Sequence, residues 1–114
     1  SFTGEILMSL TMKDFQKLDI RIGKIVKAEK IPQLKKILKV DVDVGGQTIQ
    51  TVVGGAEFYV PEYFIDKLVV VLVNLTPKVI AGIESKGMLL AADLGGKPVW
   101  LTVPEEVPPG TKVR

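Results

Sequence analysis

Leu38-Lys39-Val40-Asp41-Val42-Asp43-Val44-Gly45-Gly46-Gln47-Thr48-Ile49-Gln50-Thr51-Val52-Val53 reads as a β-hairpin. Apolar and polar residues alternate up to a Gly-Gly pair, and glycine readily adopts the positive φ that a two-residue hairpin turn requires. The turn sets the register. With Val44 facing Gln47, Val42 faces Ile49, Val40 faces Thr51 and Leu38 faces Val53, so one side of the hairpin collects the apolar groups. Lys39, Asp41, Asp43, Thr48 and Gln50 take the outer side.

Upstream, Leu18, Ile20, Ile22, Val26 and Ala28 hold even positions interrupted by Lys24, and the pattern predicts one long strand facing inward at those positions. Gly23 inside it marks a bend or bulge. Before it, Thr11 and Asp14 have capping-box spacing and open a short helix toward Lys17, with Met12, Phe15 and Leu18 on one face. Downstream, Pro61 starts a short helical segment through Asp66. Residues 68–73 are apolar throughout, as in a central strand. Residues 88–94 and 99–103 read as two further strands around a second turn, Gly95-Gly96, and residues 104–114 hold three prolines and little regular structure. This order predicts an all-β chain: a five-stranded OB-fold Greek-key barrel with short helices and terminal extensions. Residues 1–12 read as an N-terminal extension and residues 13–114 as the OB-fold domain, including a C-terminal dimerisation segment.

Composition narrows the function classes. A chain of 114 residues fits one core. No apolar run approaches the ~20 residues of a membrane span, and no basic segment with an apolar core opens the chain, so a cytoplasmic protein without membrane contact is expected. The first residue is Ser1 rather than Met, which fits a processed chain or a piece of a longer one. Cysteine and histidine are both absent, which removes disulfides, the usual zinc and haem ligand sets, and the bases of nucleophilic triads. Glu105-Glu106 and Asp41/Asp43 are paired acids in a proline-rich tail and on a hairpin, where solvated carboxylates are ordinary. Gly45-Gly46 and Gly95-Gly96 are turns and not phosphate loops. No catalytic residue, metal site or cofactor is expected, and the chain reads as a binding module rather than an enzyme.

The net charge is only +2, but it is unevenly placed: Arg21, Lys24, Lys27, Lys30, Lys35, Lys36 and Lys39 stand against the single acid Glu29. In an OB-fold the ligand lies across the second and third strands, gripped by the loop after the first strand and the loop before the fifth. Those loops fall at residues 31–36, with Lys35 and Lys36, and at residues 74–87, with Lys78 and Lys86. Cations on both gripping loops point to a nucleic acid. The second and third strands carry no aromatic ring for base stacking, while Phe58, Tyr59, Tyr63 and Phe64 follow them as packing for the short helix, as Trp100 does elsewhere. Asp41 and Asp43 disfavour RNA across the whole sheet. Folded RNA recognised by shape and backbone is the partner these features suit.

Asp14-Phe15, Leu18-Asp19-Ile20-Arg21-Ile22-Gly23-Lys24-Ile25-Val26, Ala28-Glu29, Pro32, Lys36, Asn74-Leu75, Pro77, Gly82, Glu84-Ser85 and Gly87-Met88 resemble the structure-specific tRNA-binding domain. That family includes the C-terminal domain or beta subunit of methionyl-tRNA synthetases, the tyrosyl-tRNA synthetase appendix, eukaryotic synthetase cofactors and free-standing relatives. The resemblance covers residues 13–114, and Ser85-Lys86-Gly87-Met88 is its most specific element. It implies a non-catalytic OB-fold module, usually a homodimer, that grips the elbow of tRNA. It also implies Arg21 and Lys36 at phosphates, Asn74 in loop hydrogen bonding, and Ser85 and Met88 on the tRNA face. A methionyl-tRNA synthetase catalytic subunit is a further partner it suggests. Where relatives often read His-Pro-x-Ala-Asp-Lys-Leu, this chain has Ile31-Pro32-Gln33-Leu34-Lys35-Lys36-Ile37, which loses the histidine and replaces an acid by Lys35; Val53 stands where a serine or cysteine commonly precedes Gly54.

Each site residue has a plainer role open to it. Met88 can be core packing, Ser85 can stabilise a turn, Asn74 can order backbone, and Arg21 can pair with Asp19 or Glu29. Val107 and Val113 in the tail, with Ile6, Leu7, Met8 and Leu10 at the other end, are apolar groups needing cover, and self-association through a two-fold interface would supply it. The competing binding class is a chaperone-like dimer of the same fold that holds unfolded polypeptides.

Overall fold

The hairpin forms in the register its turn dictates, with Leu38 opposite Val53, Val40 opposite Thr51 and Val42 opposite Ile49. The Val44 N–H donates to the Gln47 carbonyl at 3.0 Å. All of the inward-facing members are buried. This is a computed structural model, and it describes residues 8–114. The elements are α1 (Met12–Phe15), β1 (Ile20–Ile31), β2 (Leu34–Asp43), β3 (Thr48–Gly54), α2 (Pro61–Phe64), β4 (Leu68–Leu72), β5 (Lys78–Ile80), β6 (Ile83–Ser85), β7 (Met88–Leu89), β8 (Ala91–Leu94) and β9 (Lys97–Trp100). The main sheet is antiparallel and five-stranded in the order β3-β2-β1-β4-β7, with β5-β6 and β8-β9 as separate two-stranded ribbons.

β1 is the long strand, but its inward face is not the run of even positions. Gly23 and Ile25 face the main core: a Cβ at Gly23 would lie 2.5 Å from Val42 Cγ1 and 3.1 Å from Val71 Cγ2, and Ile25 is fully buried. Only a glycine lets β2 and β4 close over β1 at that point. The ladder then skips Val26, because Ile25 pairs with Val42 and Lys27 with Asp41. Val26 is 48% exposed rather than buried. One extra residue reverses the pleat, so Ala28 faces the main core again.

Ile20 and Ile22 point to the other face, where they form a second apolar cluster with Val70 and Leu72. That explains why every residue of β4 is apolar. Val69 and Val71 serve the main core and Val70 and Leu72 the second. The cover of the second cluster comes from Phe15 of α1 and from Val103, Val107 and Val113. The tail is docked by backbone bonds: Ile22 N–H to the Thr111 carbonyl at 2.9 Å, Gly110 N–H to the Ile22 carbonyl at 2.7 Å, and Val113 N–H to the Ile20 carbonyl at 2.8 Å. Val107 and Val113 are therefore covered within the chain, and the need for a partner copy inferred from them does not arise. At the N-terminal end Met8, Leu10 and Met12 are exposed; Ile6 and Leu7 lie outside the described residues.

The capping box is present, with Asp14 N–H donating to Thr11 Oγ1 at 3.1 Å and Thr11 N–H to Asp14 Oδ2 at 3.2 Å. In a helix of one turn only Phe15 reaches the cluster, and Met12 and Leu18 stay exposed. α2 begins at Pro61 and buries Phe64, whose ring meets Trp100 at 5.8 Å. None of the helices described is long and apolar enough to cross a membrane.

Two further expectations change. β1 and β2 are joined by the tight turn Pro32-Gln33, with Gln33 at φ 68°, so Lys35 and Lys36 stand on β2 and not on a loop. The expected final strands are also broken up. Met88 and Leu89 join β4, after which β8 leaves the sheet to pair with β9 around Gly95-Gly96, and the pairing ends at Trp100. With only two residues in β7, the ladder does not close into a barrel among the described residues.

Candidate nucleic-acid interface

Residues 74–87 are not a free loop. β5 and β6 fold back on each other around Ala81-Gly82, both at positive φ, and the ribbon is fastened to β3 by four bonds. Gln50 Nε2 donates to the Glu84 carbonyl at 2.9 Å, the Lys86 N–H to the Gln50 carbonyl at 2.9 Å, Thr51 Oγ1 to the Lys86 carbonyl at 2.6 Å, and the Val52 N–H to Ser85 Oγ at 3.0 Å. Gly87 then lets the chain pass between β3 and β4. Its φ is +71°, and a Cβ there would lie 3.0 Å from the Leu72 carbonyl oxygen and 3.1 Å from Ile49 Cδ1.

This fastening leaves a cavity of about 470 Å³ between the ribbon and the outward face of β3, lined by Val52, Leu75, Lys78, Ile80, Ser85 and Met88 among others. Of the residues singled out in the sequence, Lys78, Ser85 and Met88 meet here. Ser85 is buried, and its Oγ accepts from β3, so part of its work is to fasten the ribbon to that strand rather than to stabilise its own turn. Met88 is 45% exposed although it begins a strand, so it is not core packing. Lys86 lies outside the cavity, 3.6 Å from Glu84, in a shallow hollow beside Gln47 and Gln50.

Asn74 and Arg21 are placed elsewhere. Asn74 Oδ1 accepts the Asp19 N–H at 2.9 Å and its Nδ2 donates to the Lys17 carbonyl at 2.7 Å. Its amide clamps the ribbon's root to the segment before β1. Arg21 Nε donates to Asp19 Oδ1 at 2.8 Å and its NH1 to the Gly110 carbonyl at 3.3 Å, which ties it to the docked tail. Lys112 Nζ reaches the same Asp19 oxygen at 3.1 Å.

Part of the basic run is spent on acids: Arg21 on Asp19, and Lys27 and Lys39 on Glu29. Lys39 lies 2.9 Å and Lys27 3.8 Å from Glu29 Oε1. The hydrogen bond from Lys39 holds the Glu29 carboxyl below its ordinary value, and the same bond raises the Lys39 ammonium. Asp41 pairs across the ladder with Lys27. The outward β1–β2 face is thus close to neutral. Lys35 and Lys36 are exposed, and among the described residues neither they nor Lys78 pairs with an acid. The sequence reading missed Thr51 and Gln50 as the groups that hold the ribbon. An inward threonine among valines was the available signal.

Asp19 gives a pH dependence. The Arg21 hydrogen bond, helped by Lys112, holds its carboxyl below the ordinary 3.8. A depressed folded-state value contributes stability that is present above that ordinary value and is lost as pH falls through the depressed one. Asp19→Asn is expected to lower the urea midpoint at neutral pH and to flatten its fall between about pH 5 and pH 2. Equal acid sensitivity in the two proteins would show that the pairing contributes nothing to stability.

A family model described as "Putative tRNA binding domain" matches residues 20–112. A methionine–tRNA ligase of Archaeoglobus fulgidus is 53% identical over 104 residues, which is 91% of this chain and 16% of that protein. One from Thermotoga maritima is 48% identical over 92% of this chain and 17% of its own length. The chain therefore spans about a sixth of the length of the curated relatives it matches. Among solved structures, a MetRS-related protein from Pyrococcus horikoshii superposes with a TM-score of 0.87 at 40% identity, covering 94% of this chain and 100% of that one. The chaperone CsaA of Bacillus anthracis superposes with a TM-score of 0.83 at 31% identity over 93% of this chain and 99% of that one. The chain belongs to the tRNA-binding domain family, as the motif around Ser85 and Met88 led one to expect.

Proposed function

We propose that this chain is a non-catalytic OB-fold module that grips folded tRNA by shape and backbone, with residues 13–114 as its working unit. The observation that carries the reading is the β5–β6 ribbon: four bonds fix it to β3, and it presents Lys78, without an acid partner among the described residues, at the mouth of a cavity. A preset cation on a rigid support fits a polyanion of fixed shape. Lys35 and Lys36 extend the positive surface from β2, Lys86 adds a partly neutralised charge, and Ser85, Met88, Asn74 and Arg21 shape or position the contact. Similarity to methionine–tRNA ligases and to a MetRS-related protein supports service to methionyl-tRNA synthetase in the cytoplasm, in cis or as a partner of its catalytic subunit. A homodimer is part of the proposal on the family resemblance alone.

Competition separates the partner classes. Folded tRNA is expected to displace a labelled tRNA at concentrations at least about tenfold below those needed of a single-stranded oligonucleotide of equal length. Equal competition would overturn shape reading. The CsaA likeness, with exposed Phe58, Leu94, Val99 and Leu101, favours a second reading in which the module holds unfolded polypeptide. Displacement of tRNA by a reduced, unfolded protein at comparable concentration would support that reading instead.

A further inference from the structure

The cavity under the β5–β6 ribbon is built for more than a phosphate. Its volume of about 470 Å³ falls in the range of small-molecule sites, roughly 300–1,000 Å³. Its walls are mainly aliphatic, with Val52, Leu75, Ile80 and Met88 around it. A phosphate gains nothing from such walls. A flat heteroaromatic ring does, since apolar side chains can sandwich an extruded base.

Ser85 supplies the polar element. The side chain is only 5% exposed and lines the cavity. Its Oγ accepts the Val52 N–H at 3.0 Å, and a hydroxyl has one proton to give as well as lone pairs to fill. That proton has no acceptor among the described residues. A buried donor left unpaired is costly, so the site favours an occupant bearing a ring nitrogen or a carbonyl oxygen. Lys78 on the same rim supplies a cation for an attached phosphate.

We infer that this cavity receives one unstacked nucleobase of the bound RNA, held between Met88 and the aliphatic wall, with Ser85 donating to a base acceptor and Lys78 pairing with the adjoining phosphate. The inference rests on the tRNA reading and sharpens it. A base extruded at a fixed place is a property of a folded RNA, so one base pocket adds to shape recognition without the aromatic platform that single-strand binders need.

The test uses the whole chain and two kinds of change. Met88→Trp is tolerable at a half-exposed position and would fill the cavity. It is expected to weaken tRNA binding about tenfold while leaving the slope of log affinity against log salt unchanged, because no phosphate contact is removed. A panel of tRNAs, each with one abasic nucleotide at an unpaired position, probes the same contact from the RNA side. One member should bind the unmodified protein about tenfold more weakly than the parent tRNA and should lose little more on Met88→Trp. If every abasic tRNA binds like its parent, or if Met88→Trp binds with unchanged affinity, the base pocket is wrong while the tRNA reading stands. If the unmodified chain binds no tRNA, both fail.

Discussion

A chain ending at Val103 is expected to lose about 5 kcal/mol of stability, a large share of the ~5–15 kcal/mol typical of a domain. Deletion of residues 104–114 removes Val107 and Val113 from the second cluster and opens Ile20, Ile22, Val70 and Leu72 to water. At roughly 25 cal/mol per Å² this apolar exposure alone amounts to a few kcal/mol. Three backbone bonds to Ile20 and Ile22 go with it, at about 1 kcal/mol each. The exposed ion pair of Lys112 with Asp19, which is also lost, adds little. Urea denaturation followed by tryptophan fluorescence would measure the loss through Trp100, and a midpoint equal to that of the full chain would show that the tail merely rests on the sheet. Because the tail holds up the fold, weakened tRNA binding after this truncation would report unfolding, and it cannot by itself diagnose a two-fold interface.

What could be read from the sequence was what local rules control. The β2–β3 register followed from Gly45-Gly46 and alternation, the α1 cap from Thr11 and Asp14, and the doubly buried β4 from an unbroken apolar run. The errors came from contacts between distant residues. The pleat of β1 was misassigned because the bulge at Val26 is imposed by pairing with β2, and nothing in a window around Val26 announces it. The tail looked orphaned because its cover, Ile20 and Ile22, lies some ninety residues earlier in the chain. For Asn74 and Arg21 the sequence leaves a tRNA contact and a structural role both open, and the bonds to Lys17, Asp19 and Gly110 show the structural role of each. The ribbon's position was legible, its rigidity was not, because the fastening uses Gln50 and Thr51 of a strand that looked complete without it.

Replacing Lys35, Lys36 and Lys78 together by alanine is expected to weaken tRNA binding on the order of 100-fold near 0.1 M salt. Each lost phosphate contact removes roughly 0.7–0.9 from the slope of log affinity against log salt, so the slope should flatten by about 2 to 3. The three were chosen because they lack acid partners among the described residues, and ammonium groups already paired must first give up that partner. Lys39 is the control. It sits 2.9 Å from Glu29, and Lys39→Ala is expected to move the slope by less than about half of one contact. Folding should survive in both, since the three side chains are exposed or at a cavity rim, and the urea midpoint checks that directly. Phosphate contacts carry no direct sequence information, so the loss should be similar for every tRNA tried. A triple variant that keeps the parent slope would mean that the cations gripping the RNA lie elsewhere, with Lys24 and Lys30, the members of the basic run on β1 without an acid partner among the described residues, as the next candidates.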